Sequence, residues 1–268
     1  MRFFLAVLFL LAAVPSRAEI RDVLKSADIG ARLAALGRRG GVQESALYER
    51  PNFAIVLESH HGAPASPAEN AKADQVFWVR RGSGRFAVGS PPRHHEISAG
   101  DFLLVPRSTP YQIVSAAGVD AVVVRVFPAT GTSRPGIRPA PRQMSDVLAK
   151  SEIDATFAQF DRNQPIHGAP NFTINYVIYP AHAGPWEAHQ GCADIYFLQI
   201  GTATAQLGGQ IQNAKEESPG EPRGTAVTGA RSYQIGPGDL VLIPRNTAHH
   251  MDPGPGKLGY ILMKVWAD

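Results

Sequence analysis

The sequence predicts an all-β protein of two barrels, each preceded by a short helix. Three observations carry this. Short apolar stretches alternate with turn residues, in a chain of 268 residues that holds 26 glycines and 22 prolines. Strands of that kind suit a β-sandwich or barrel. The chain also repeats itself over most of its length, which implies duplication of a whole domain rather than a solenoid unit. Finally, each repeat opens on a stretch with helical spacing of its apolar residues.

The opening stretches are DVLKSADIGARLAALGR, from Asp22 to Arg38, and DVLAKSEIDATFAQFDR, from Asp146 to Arg162. Val23, Leu24, Ile29, Leu33 and Leu36 form the apolar set of the first; Val147, Leu148, Ile153, Phe157 and Phe160 form that of the second. Each is followed by a polar loop and then by PNFAI (Pro51 to Ile55) or PNFTI (Pro170 to Ile174). Gly82 then matches Gly201 without a gap, and GDFLLVPRSTPY (Gly100 to Tyr111) matches GDLVLIPRNTAH (Gly238 to His249). Expected strands in the first half are 53–58, 76–80, 85–88, 102–105, 111–114 and 121–127. In the second half they are 172–179, 195–200, 203–207, 232–235, 240–243 and 260–265. The Pro-, Gly- and Arg-rich run 128–142 lacks periodicity and reads as a linker between an N-terminal domain (19–127) and a C-terminal one (143–268).

Residues 1–18 read as a signal peptide. Arg2 supplies a positive start, Phe3 to Val14 an apolar run too short to span a bilayer, and Ser16-Arg17-Ala18 a small-x-small cleavage site. The expected protein is therefore periplasmic or secreted, with no membrane attachment after signal removal. Of the formal charge of +3, Arg2 and Arg17 leave with the signal, so the remainder is nearly neutral. That balance, with no basic stripe interleaved with aromatics, gives no evidence of nucleic-acid binding, and no nucleic-acid partner is expected. Cys192 is the one cysteine, so no disulfide within the chain supports the fold.

The chemistry concentrates in two stretches of the second half. Glu187 to Gly201 reads EAHQGCADIYFLQIG, and Gly238 to His249 reads GDLVLIPRNTAH. Glu187 and His189 are two apart, so on a strand they share a face. Asp194 opens the apolar run Ile195 to Ile200 after a short loop. His249 follows another apolar strand and the turn Pro244-Arg245-Asn246-Thr247. Two carboxylates and two imidazoles pointing at one spot suit a divalent ion.

At these residues the sequence resembles the cupin superfamily. The usual first motif, H-x-H, three or four residues, E, six residues, G, stands here as E-x-H-x4-D-x6-G. The usual second motif, G-x5-P-x-G-x2-H, stands as G-x5-P-x-N-x2-H, with Asn246 in place of the second glycine. The resemblance implies two jelly-roll barrels covering nearly all of the chain after residue 18, an exported bicupin. It also implies one divalent ion (Mn, Fe, Ni or Zn) held by Glu187, His189, Asp194 and His249. Tyr196, which has the parity of Asp194, and His182, just upstream, are candidates for acid/base work. The expected function is a metal-dependent enzyme acting on a small oxygen-rich substrate, of oxygenase, isomerase or lyase type. The alternative is a non-catalytic periplasmic cupin that binds or senses a metal or small ligand. Expected partners are a small-molecule substrate or ligand and, in a homodimer, a second copy of the chain.

The first half keeps the framework without the ligands. Glu187 matches Ala68, His189 matches Asn70, Asp194 matches Gln75 and His249 matches Tyr111. The N-terminal barrel is therefore expected to be structural, or half of a dimer-like interface, with His60, His61, His94 and His95 in solvated loops. Cys192 is expected to be a small apolar filler. The stretch between Gly208 and Tyr233 is longer than its counterpart in the first half, and an insertion beside one barrel suits a lid or a substrate-contacting hairpin.

Overall fold

The structure, a computed structural model, describes residues 22–37, 40–64, 66–128, 144–179, 181 and 184–266. The expected signal peptide, the expected linker beyond Pro128, and His182 lie outside the described residues.

Two jelly-roll barrels make up the chain. In the second, one sheet runs in the order Val23–Leu24, Leu240–Ile243, Cys192–Ile200, Leu258–Trp266, Phe172–Tyr179, Gln164–Ala169. Its facing sheet runs Lys215–Glu216, Pro222–Gly224, Trp186–Glu187, His249–Asp252, Ala203–Leu207, Arg231–Ile235. The sheet of the first barrel runs Gly41–Glu49, Phe53–Gly62, Tyr111–Val126, Asp74–Val88, Phe102–Val105, Val147–Leu148, with Arg93–Ser98 beside Asp74–Val88. The alternation of side chains along a strand assigns each residue to one of two cores. Tyr196 and Leu198 point into the second barrel, as Phe77 and Val79 point into the first. Their neighbours Ile195, Phe197, Val76 and Trp78 point out, into one apolar cluster shared by both halves. There the rings of Trp78 and Phe197 meet edge to face at 5.3 Å, and those of Phe102 and Phe197 at 5.2 Å. Full burial of such side chains contributes about 1.5–3 kcal/mol each, so the two barrels hold each other face to face.

The helices are shorter than the periodic stretches, Ser26–Ala35 and Lys150–Gln159, with Ile29, Leu33, Ile153 and Phe157 buried. Val23–Leu24 and Val147–Leu148 are strand residues instead, and each pair joins the barrel of the other half. Val23 pairs with Val241 and Leu24 with Leu240, while Val147 pairs with Leu103 and Leu148 with Phe102. The aspartate of each Gly-Asp motif fixes this exchange. Asp239 Oδ1 accepts from the Ser26 amide at 2.8 Å, and Asp101 Oδ1 from the Lys150 amide at 2.7 Å. Each carboxylate thus satisfies an orphan donor at the start of the other half's helix.

Two pairs of expected strands in the first half are fused. Asp74–Val88 and Tyr111–Val126 are single bent strands, with register breaks between Val79 and Arg81 and between Gly82 and Arg85. The matched glycines explain the bend. Gly82 has φ 86° and Gly201 φ 72°. A Cβ on Gly82 would lie 1.9 Å from the Gly118 carbonyl oxygen, and one on Gly201 1.8 Å from that of Lys257. Only a residue without a side chain permits that approach.

The expectation of loop histidines in the first half needs correction. His60 and His61 lie on Phe53–Gly62, and His94 and His95 on Arg93–Ser98. The first extends the expected strand 53–58 to Gly62 and the second lies outside the expected strands, because polar runs at both places carry charged or hydroxyl residues that find partners in the folded chain. His60 is buried with Nε2 2.9 Å from Glu58 Oε2, His61 Nε2 lies 3.0 Å from the Ser59 hydroxyl, and His95 Nε2 lies 3.0 Å from Asp146 Oδ2.

Candidate metal centre

The two motifs converge at one end of the second barrel. Trp186–Glu187 pairs with His249–Asp252 in the facing sheet, with Glu187 directly opposite His249. The turn before His249 holds the neighbouring loop. Asn246 adopts φ 64°, the left-handed conformation for which the family pattern carries glycine, and which asparagine tolerates. Its amide donates to the His189 carbonyl at 2.8 Å. Ser108, at φ 57°, donates in the same way to the Asn70 carbonyl at 2.9 Å in the first barrel. The turn is therefore a framework feature, and the second barrel uses it to place an imidazole.

Glu187, His189 and His249 each bring a ligand atom to within 4.8 Å of the other two. The His189 and His249 rings lie 5.1 Å apart, and both are buried. The hydrogen bonds assign the ring protons. His249 Nδ1 donates to the Thr247 carbonyl at 3.1 Å, so in the neutral tautomer Nε2 carries the lone pair. That Nε2 is buried, has no hydrogen-bond partner among the described residues, and lies 3.5 Å from Glu187 Oε1. A buried lone pair facing a carboxylate is unfavourable by itself; a proton on Nε2 or a metal cation between the two groups removes the conflict. His189 Nδ1 donates to Glu221 Oε2 at 2.5 Å, so its Nε2 faces inward. A carboxylate behind a ligating imidazole is the usual device for orienting one. The donor set thus fits a divalent ion.

Asp194, expected as a fourth ligand, lies beside the group and outside it. Its Oδ2 is 3.4 Å from His189 Nε2, but Lys264 Nζ donates to both of its oxygens, at 3.1 and 3.2 Å. Tyr196 points inward as its parity requires. Its ring stacks on Tyr260 at 4.2 Å and its hydroxyl donates to Asp194 Oδ2 at 3.4 Å. Cys192 is buried, 3.6 Å from Asp194 Oδ1. Burial, then the Asp194 charge, pushes its thiol up to about 12, so it stays protonated and packs as a filler.

The charges are coupled. Burial alone would raise the Glu187 carboxyl, but His249, His189 and Arg223 outweigh it and hold it below the usual value. Burial would lower His189, yet Asp194 and Glu221 outweigh that and raise it. Burial would also raise Asp194, and Lys264 followed by the two histidines holds it well below the usual carboxylate range. Tyr196 is pushed well above its ordinary value by burial first and stays a neutral hydroxyl.

Three site residues escaped sequence reasoning: Glu221, Arg223 and Lys264. Glu221 belongs to an insertion rich in acids, where nothing marks one glutamate over another. That insertion also supplies Arg223, whose Nη2 lies 3.2 Å from Glu187 Oε2. Lys264 did carry a signal: it is the lone charge in the apolar strand Leu258–Trp266, with the parity of the inward-facing Tyr260 and Leu262.

No protein-family model matches the sequence, and neither does any curated protein. The fold does match solved structures. A cupin 2 conserved barrel domain protein from Leptotrichia buccalis superposes with a TM-score of 0.62 at 14% identity, covering 93% of this chain and 100% of that one. Salicylate 1,2-dioxygenase from Pseudaminobacter salicylatoxidans superposes at 0.62 and 11%, covering 91% and 83%. An 11S globulin from Wrightia tinctoria, whose structure reveals an auxin binding site, superposes at 0.53 and 12%, covering 85% and 81%. The chain has the cupin fold. Neighbours as different as a dioxygenase and a globulin leave its activity to be argued from the site.

Proposed function

We propose that the chain is an exported bicupin whose C-terminal barrel binds one divalent ion through Glu187, His189 and His249 and acts as a metal-dependent enzyme on a small oxygen-rich substrate. The observation that carries this is the buried, unpartnered Nε2 of His249, aimed at Glu187 beside an inward-facing His189. Two imidazoles and one carboxylate leave coordination positions open, a donor set associated with oxygen chemistry at iron and accessible to Mn, Ni and Zn. When bound, the ion would supply Lewis-acid or oxygen chemistry to a substrate oxygen. The chain's own part is defined by its contacts. Glu221 orients His189, Thr247 fixes the His249 tautomer, and Arg223 neutralises one Glu187 oxygen. Tyr196 offers a neutral hydroxyl toward Asp194. His182 retains its place as an acid/base candidate on sequence grounds alone.

The substrate class is tested by loading the purified protein with Mn, Fe, Ni or Zn and screening phenols, hydroxy acids and sugars for turnover. Turnover that disappears in the metal-free protein supports the proposal. Saturable ligand binding with no turnover under any metal replaces it with the binding or sensing function. Export is tested by N-terminal sequencing of the soluble protein, which should begin at Glu19; soluble, folded protein retaining Met1 contradicts it.

A further inference from the structure

We infer that Lys264 is a built-in cation that keeps Asp194 out of the ion's coordination shell, so that the centre operates with three protein ligands and open positions. This rests on the proposal of a metal centre and specifies its shape.

The geometry makes the assignment. Asp194 and Lys264 sit opposite each other on paired strands. The ammonium bridges both carboxylate oxygens almost equally, at 3.1 and 3.2 Å. Asp194 is 1% exposed, so its charge must be compensated within the barrel, and Lys264 provides the compensation without an ion. Glu187, by contrast, is shared between Arg223, from the flexible-composition insertion, and the unpartnered His249 nitrogen. Arg223, opposite Glu187 on a paired strand, reaches one Glu187 oxygen and leaves Oε1 facing His249, whereas Lys264 holds both oxygens of Asp194.

The first barrel supplies an independent observation. There the same rung pairs Gln75 with Arg125, matching the pair Asp194 and Lys264. A long cationic side chain therefore occupies this rung in both halves, including the half in which Ala68, Asn70 and Tyr111 replace the ligands. In the first barrel Arg125 pairs with Glu58 and Glu44, both at 2.6 Å, so a cation stands at this rung there with no ligand set beside it. In the second barrel its effect is to occupy the carboxylate that the family pattern offers as a fourth ligand. Lys264 then determines how many positions remain for substrate and water.

The experiment uses Mn2+ alone as the probe, with equilibrium dialysis for affinity and water-proton relaxation for the number of exchangeable waters. In the wild-type chain, binding should leave several waters on the ion. Asp194→Asn leaves the Lys264 ammonium unpaired beside the ion and should weaken binding through that charge. Lys264→Met, which frees the carboxylate, should raise affinity about tenfold or more and remove a water. The double variant Asp194→Asn/Lys264→Met, which removes both charges together, should return to the wild-type affinity and water count. Loss of Mn2+ binding in the double variant, to the extent seen in His249→Ala, overturns the inference even where Lys264→Met fails to fold. A Lys264→Met protein unchanged in both affinity and water count overturns it too. A wild-type chain that binds no Mn2+, Fe2+, Ni2+ or Zn2+ overturns the metal centre itself, a result distinct from the other two.

Discussion

Removing the Glu221 carboxylate should weaken metal binding without touching a ligand. Glu221 Oε2 accepts from His189 Nδ1, which fixes the tautomer and turns Nε2 inward. Loss of such a partner typically costs 10- to 100-fold in affinity, about 1.4–2.8 kcal/mol. The side chain of Glu221 is 28% exposed, so water can replace part of its role, and the expected effect of Glu221→Ala is about tenfold, the lower end of that range. Glu221→Gln keeps an acceptor oxygen and should recover most of the loss. Competition against a chromophoric chelator measures both. Equal affinities for wild type and Glu221→Ala would show that the insertion does not orient His189. Equal losses in Ala and Gln would show that charge, and not the hydrogen bond, is what Glu221 contributes.

Two further outcomes follow from the contacts described. Asp239→Ala should destabilise the fold by about 2–4 kcal/mol, because it leaves the Ser26 and Gly236 amides without their acceptor. Asp101→Ala should do the same through the Lys150 and Ser98 amides, and denaturant midpoints that stay at the wild-type value in both variants would refute the interlock. The pH dependence should have opposite signs with and without metal. His189 is raised by Asp194 and Glu221 against burial. Its charged form therefore stabilises the metal-free chain fully below the unfolded value, roughly 6.5, and that contribution is lost as pH rises through the raised folded value. Metal binding needs the neutral ring, so the rise in Tm on adding metal should grow through the same window. A metal-induced Tm shift that does not change with pH would contradict this.

The sequence displayed the fold because its turns and glycines are repeated in both halves. Asn246 and Ser108, and Gly82 and Gly201, mark backbone geometry that few residues permit, so their positions survive where the ligands do not. Glu187, His189 and His249 were legible for the same reason, standing against Ala68, Asn70 and Tyr111 in a common framework. What stayed hidden depends on register and on contacts distant in sequence. Nothing in Val23–Leu24 or Val147–Leu148 says which barrel they join; that is settled by Asp239 and Asp101, more than two hundred and about fifty residues away along the chain respectively. The Asp194–Lys264 pair appears only when two strands are placed side by side, and Glu221 only when the insertion is folded over the barrel end. The polar end of the strand carrying His60, and the whole strand carrying His95, lack the alternation of apolar residues that identifies a strand from sequence.

The central claim is a single metal centre in the second barrel, and metal content tests it most directly. Elemental analysis of the purified chain, reconstituted with one divalent metal and dialysed, should give about one ion per chain. His189→Ala and His249→Ala should each lose the ion while keeping a folded circular dichroism spectrum, and Asn70→Ala and Tyr111→Phe in the first barrel should retain it. Full metal occupancy in the two histidine variants would contradict the account.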